Sequence, residues 1–326
     1  MWIVSAIYST GSVTSADGTR VGYRRLGQGP GLVLLHGGGQ SAQNLMELAR
    51  MLAGEFTVYV PDRRGRGSSG PFGDHYGLTV ECQDLEALLQ ESGSEFVFGL
   101  SSGALVCLDA AASLAQIRRL ALYEPPLSID HSTPVDWLGR FDREIADGKI
   151  GSAMITATRG TQTAPALIRW TPRLLLAPLL DMAARRSITP TEEDGTPAER
   201  PMSPPLRAFL RVTLWPIRRL AASRAAQAPV DDEPAAPLSD LVPTMHYDAQ
   251  LVLQSEGRLV YYRAVDVPVL LLGGSESAAY LRRTLAALEA TLPHVQRIEL
   301  SGIGHTAPDN TGEPDRVAAE LIRFFR

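Results

Sequence analysis

The segment Gly99-Leu100-Ser101-Ser102-Gly103 follows the apolar run Phe96-Val97-Phe98 and leads into a helical pattern that starts at Ser102. In a G-x-S-x-G turn between a strand and a helix, the glycines let the backbone reverse sharply, so Ser101 stands exposed at the C-terminal end of the strand. The chemistry this offers is nucleophilic attack on an acyl carbon. Such attack needs a base, and imidazole titrates near neutral pH. Of the six histidines, His305 alone sits just past a strand in the last part of the chain, in Ser301-Gly302-Ile303-Gly304-His305. His75, His131, His246 and His294 fall in loops or in the middle of the chain, as surface or pocket residues do. The attack also needs two N–H donors aimed at the developing oxyanion. His36-Gly37-Gly38-Gly39 follows the apolar run Leu32–Leu35, and Gly38 is the expected donor from that loop. Ser102 is the second, because its N–H lies at a helix N-terminus, where the positive partial charge favours an anion. His36 is read as ordering its own loop.

These residues need a scaffold, and the chain supplies one. Val21–Arg25, Leu32–Leu35, Phe56–Val60, Glu95–Phe98 and Leu120–Tyr123 read as strands. Helical patterns at 42–53, 79–91 and Ser102 to Leu114 lie between them. Continuous apolar runs alternating with helices predict an α/β fold: a parallel sheet buried on both faces. From 127 to 263 the pattern is helical, with no convincing buried strand. Trp137, Phe141 and Ile145 share one helix face, and Ile150, Met154 and Ala157 another. Arg207–Ser223 is amphipathic, with Pro216 expected to kink it. Ser187–Pro205 and Ala225–Pro237 are rich in Pro and acidic residues and read as loosely ordered. Alternation returns with the strand Val267–Leu272, a helix at 278–291, the strand Val295–Leu300 and a closing helix Glu313–Phe325.

The order Ser101, then an acid, then His305 closely resembles the α/β-hydrolase fold superfamily. Asp62-Arg63-Arg64-Gly65-Arg66-Gly67-Ser68-Ser69 is similar to the D-x-R-G-x-G-x-S segment common after its fourth strand. The resemblance implies a mostly parallel eight-stranded sheet. It places the core at 1–126 and 264–326 and a helical cap at 127–263, inserted after the sixth strand. It also implies a triad acid, at either of two places. The usual P-x-L-x-x-x-G-x-x-D pattern, counted from Pro268 and Gly274, puts Ser277 in the acid's slot, with Glu276 one residue away. Some branches place the acid after the preceding strand, and here Glu124 stands there in Leu122-Tyr123-Glu124-Pro125-Pro126. A carboxylate at a strand end suits the orienting of a histidine, so Glu124 is preferred. Glu276 is the alternative, and another acid such as Asp62 a third.

The expected activity is that of a serine hydrolase acting on an ester, lactone or thioester, with no cofactor and no metal. A serine at the elbow argues against haloalkane dehalogenase and epoxide hydrolase chemistry, because water cannot open the ether that a serine would form. The same fold also serves lyases, cyclases, acyltransferases and binding proteins, and these remain the other readings. The partner is a small molecule, apolar or bulky. Of Trp137, Phe141, Trp170, Leu174, Phe209 and Trp215, one or two are expected at the pocket and the rest in packing.

Composition narrows the field further. The chain has 326 residues, 44% hydrophobic and 21% charged, which excludes wholesale disorder and a disulfide scaffold. Its net charge of −5, with no basic stripe among aromatics, argues against nucleic acid. Lys149 is the only lysine, and the arginines are scattered. Gly65-Arg66-Gly67-Ser68-Ser69-Gly70 matches a dinucleotide fingerprint, but Pro71-Phe72-Gly73-Asp74 follows where a helix should begin. Cys82 and Cys107 have no metal spacing and fall in helical patterns. Met1–Ser12 lacks the pattern of a signal peptide, and no apolar run is long enough to span a membrane, so the expected address is the cytoplasm.

Overall fold

The computed structural model describes residues 8–164, 166–186 and 236–326. The expected helix Arg207–Ser223, the stretch Ser187–Pro205 and nearly all of Ala225–Pro237 lie outside the described residues, as do Phe209 and Trp215.

Eight strands form one sheet: β1 Ser9–Thr14, β2 Arg20–Leu26, β3 Gly31–Leu35, β4 Thr57–Pro61, β5 Phe96–Leu100, β6 Arg119–Tyr123, β7 Val269–Gly274 and β8 Val295–Leu300. Their order is β1-β2-β4-β3-β5-β6-β7-β8. The β1–β2 and β2–β4 pairs are antiparallel, and the rest of the sheet is parallel. The apolar runs are continuous because alternate residues serve opposite faces. Val33, Leu35, Val97, Leu120, Leu122, Val269 and Leu271 point one way, towards helices α2 (Leu78–Ser92) and α3 (Ser102–Ala111). Leu32, Leu34, Val58, Phe98, Ala121, Leu270 and Leu272 point the other way, towards α1 (Met46–Leu52) and the closing helix, which is Pro314–Phe325. Each large side chain buried here contributes about 1.5–3 kcal/mol, so the strands form a stiff floor for the loops at their ends.

Element types follow the sequence patterns, and the differences lie at the ends. The helix expected at 42–53 is a 3₁₀ turn, Ala42–Leu45, followed by α1. The helix from Ser102 stops at Ala111 rather than Leu114. Strand β7 begins two residues later than read, past Pro268, which has no N–H to give a ladder. Strand β1 was not foreseen: only Val13 of its six residues is buried, so it carries no apolar run.

Between β6 and β7 the described chain is helical: α4 Leu138–Ala146, α5 Ile150–Gly160, α6 Ala166–Trp170, α7 Arg173–Arg186, α8 Leu238–Leu241 and α9 Met245–Gln254. Phe141, Ala153, Ala157 and Val242 form a small core with Trp137, Ile145 and Met154 packed on it. Helix α9 returns to the sheet, where Leu251 and Val252 join the cluster around α3. Helix α10, Ala279–Thr291, and the closing helix, α11, complete the layers.

Register brings the chemistry to one edge. Leu35 is level with Gly99, Leu100 with Tyr123, and Tyr123 with Leu272. The residues following β3, β5, β6, β7 and β8 therefore emerge together at the carboxyl ends of parallel strands, where open α/β sheets bind ligands.

Candidate active site

Ser101 links β5 to α3 with φ 53° and ψ −123°, a strained conformation for a residue with a side chain. Two glycines make the turn possible. A Cβ on Gly99 would lie 2.6 Å from the Ala104 Cα, and one on Gly103 would lie 2.4 Å from the His36 carbonyl oxygen. The helix start is thus pressed against the loop after β3. The Ser101 N–H is held by the Tyr123 carbonyl at 2.9 Å.

His305 reaches this serine from the loop after β8, its Nε2 3.0 Å from the Ser101 Oγ. Its Nδ1 lies 2.7 Å from Oε2 of Glu124. A carboxylate can only accept, so Nδ1 carries the proton and Nε2 accepts from the serine hydroxyl. Glu124 follows β6, is fully buried, and has φ 47°. Its other oxygen, Oε1, accepts the Gly274 N–H at 2.7 Å, which fixes the carboxylate from the β7 side.

The other acid candidates stand elsewhere. Glu276 is exposed, and its backbone N–H is held by the Ile303 carbonyl. Asp62 is buried, but it accepts from Ala42, Ser68 and Arg24. It is the hub around which the Gly65–Gly70 loop winds, and no helix begins directly after that loop, since α2 starts only at Leu78. Ser277 is buried, and its hydroxyl has no hydrogen-bond partner among the described residues.

Ser101 and His305 open into a cavity of ≈ 530 Å³ that Gly38 and Ser102 also line. That volume suits a small molecule. Ser102 is the first residue of α3. His36 is fully buried; burial first, then Arg63 and Arg66, lowers its imidazole to about 3. It stays neutral, with Nδ1 on the Gly37 carbonyl and Nε2 accepting the Arg63 N–H at 3.1 Å. A second hollow of ≈ 590 Å³ runs along the Gly65–Gly70 loop; of its charged residues, Arg24 and Asp62 pair with each other at 3.2 Å, Arg66 pairs with Asp248, and Asp240 also lines it.

Of the apolar residues expected at the pocket, Trp137 lines the cavity and Phe141 packs beneath it with rings edge to face. Trp170 and Leu174 do neither, being 79% and 89% exposed. Helix α7 meets α5 with another face, where Gly151 touches Leu180 and Ser152 bonds Asp181.

Two carboxylates were not foreseen. Asp248 on α9 accepts from the Gly39 N–H, the Ser102 hydroxyl, Arg63 and Arg66 at 2.7–3.2 Å. Burial alone would raise its carboxyl, but Arg66 and Arg63 outweigh this and hold it at about 2. Arg63 also pairs with the buried Glu81, so two cations face two anions behind the Ser102 side of the site. Asp309 lines the same cavity, four residues after His305. A carboxylate in an amphipathic helix and another in a polar loop carry no local signal, because their partners lie up to 209 and 269 residues away.

A family model described as the alpha/beta hydrolase family matches residues 32–320. The chain belongs to the alpha/beta hydrolase family. Among curated relatives, it is 38% identical over 96 residues to an uncharacterized hydrolase, YraK, of Bacillus subtilis (28% of this chain, 35% of that protein). It is also 38% identical over 127 residues to N-formylmaleamate deformylase of Pseudomonas putida (37% of this chain, 47% of that one). The matched segments thus span between a third and a half of those relatives. An alpha/beta hydrolase structure from Sphaerobacter thermophilus superposes with a TM-score of 0.67 at 29% identity, covering 97% of this chain and 100% of that one. The fold and the family agree with the resemblance carried by the elbow and the 62–69 segment. Among the described residues, no helix is long and apolar enough to cross a membrane, and no group of three or more His, Cys, Asp or Glu could hold a metal.

Proposed function

We propose that this family member is a serine hydrolase that cleaves an ester, lactone or thioester through an acyl-enzyme on Ser101. The observation that carries the reading is the unbroken relay Ser101–His305–Glu124, at 3.0 and 2.7 Å, opening into a cavity of ≈ 530 Å³. His305 Nε2 takes the serine proton as Oγ attacks the carbonyl carbon, and Glu124 steadies the imidazolium that forms. The N–H groups of Gly38 and Ser102 hold the oxyanion. The imidazolium protonates the departing alcohol or thiol. A water, deprotonated by the same nitrogen, then attacks the acyl-enzyme, and collapse of that adduct returns the proton to Ser101. Every step uses groups of this chain and water.

Residues 1–126 and 264–326 form the catalytic core on this reading, and 127–263 the cap that shapes the substrate space, in a cytoplasmic enzyme. The likeness to a deformylase supports a second reading in which the bond cleaved is a formamide C–N bond, with the same acyl transfer to Ser101.

Rapid quenching of a p-nitrophenyl ester reaction tests the proposal. The expected result is a burst of about one p-nitrophenol per protein, with the acyl mass on the Ser101 peptide. Steady turnover with no burst and no acylated peptide, at any ester length, overturns it.

A further inference from the structure

Within the cavity, Asp309 is a carboxyl that the proposed mechanism leaves unused. It is 9% exposed, and its Oδ1 accepts from the Gln40 side-chain amide at 2.7 Å. Gln40 is itself fixed, because its Oε1 accepts the Gly37 N–H at 2.8 Å. Among the described residues, the second oxygen of Asp309, Oδ2, has no hydrogen-bond partner. Asp248 lines the same cavity but differs in kind. Each of its oxygens takes two donors, and two arginines offset its charge. No Lys or Arg is among the described residues that line the cavity. A buried carboxylate with an open oxygen costs free energy until a donor meets it.

We propose that the cavity end beside Asp309 is a subsite for a protonated amine, or an equally strong N–H donor, on the substrate. The donor would sit against Oδ2, completing the carboxylate as Gln40 completes Oδ1. Burial pushes the free carboxyl up to about 7, against the pull of Gln40 and of His305, the ionisable group that acts on it. A cation at Oδ2 would supply the countercharge that the described lining side chains do not. This deepens the hydrolase reading, since it names the substrate class for the same cavity.

The test uses esters matched in shape: 2-(dimethylamino)ethyl butanoate against 3-methylbutyl butanoate, and 4-(dimethylamino)butanoate against 5-methylhexanoate as ethyl esters. Binding is measured by calorimetry on the Ser101→Ala protein at about pH 8, where the carboxyl is ionised, so the result does not depend on turnover. For at least one pair the amine is expected to bind at least about tenfold tighter than its carbon isostere. Asp309→Asn in the same background is the decisive variant. Gln40 can only donate towards residue 309, so the asparagine must keep its oxygen there and turn its NH₂ into the subsite. The ratio of the two affinities should then fall to one or below. Equal affinities for both pairs in the Asp309 protein overturn the proposal, as does a preference that survives Asp309→Asn. Failure of the hydrolase reading would show instead as no acyl-enzyme in the burst experiment, whatever these affinities are.

Discussion

Of the two glutamates weighed as the partner of His305, Glu124 is the one in contact with it. Glu124 touches His305 at 2.7 Å from a fully buried position, whereas Glu276 is exposed. Glu124→Gln should lower kcat by roughly 10³–10⁴-fold, because an amide leaves the imidazole in the wrong tautomer. Glu276→Gln should change it less than about twofold. Steady-state kinetics on the two variants checks this, and similar modest losses would remove Glu124 from the triad. Asp309 gives a stability prediction of definite sign. Its folded carboxyl titrates at about 7 against an ordinary value of 3.8, so the folded state holds the proton more tightly. The stability associated with that proton is fully present below the ordinary value and is lost as pH rises through about 7. Asp309→Asn abolishes this loss. Melting temperatures from acid to mildly alkaline pH should move in the variant's favour as pH rises, and parallel curves would contradict the assignment.

At the scale of elements, α9 is joined to the elbow by a buried carboxylate. Asp248 meets the Gly39 N–H and the Ser102 hydroxyl at once, so a helix inserted between β6 and β7 pins both the loop after β3 and the start of α3, the two segments proposed to supply oxyanion donors. Asp248→Asn leaves Arg63 and Arg66 short of one countercharge in a dry site, and should destabilise the protein by about 3–5 kcal/mol in chemical denaturation. A loss near the surface-pair range of about 0–1 kcal/mol would mean that Glu81 alone neutralises the cluster. On the far wall, Trp137 is held by its indole N–H on the Pro134 carbonyl and by Phe141. Trp137→Ala should raise the kcat/KM ratio of long to short acyl esters by about tenfold, as a pocket that gains length does. An unchanged ratio would place the acyl chain elsewhere in the cavity.

The whole molecule shows what a sequence can carry. The elbow was legible because its rule is local: glycines, a serine, a strand before and a helix after. The two-faced strands were legible because both faces are buried and the apolar runs are unbroken. Strand β1 was not, since an edge strand with one buried residue has no pattern to read. The acid stayed ambiguous because its choice depends on the register of β6 against β7, which places Glu124 beside Gly274 across 150 residues of chain. Asp248 and Asp309 were invisible for the same reason, being defined by partners and not by neighbours. Nucleophilic chemistry at Ser101 joins residue, element and fold, since the serine is a nucleophile only if sheet, loops and relay are all in place. Intact-mass analysis after treatment with a fluorophosphonate tests it most directly. One phosphonyl adduct is expected on the protein and none on Ser101→Ala. An unlabelled folded protein, or a label that persists in Ser101→Ala, would contradict it.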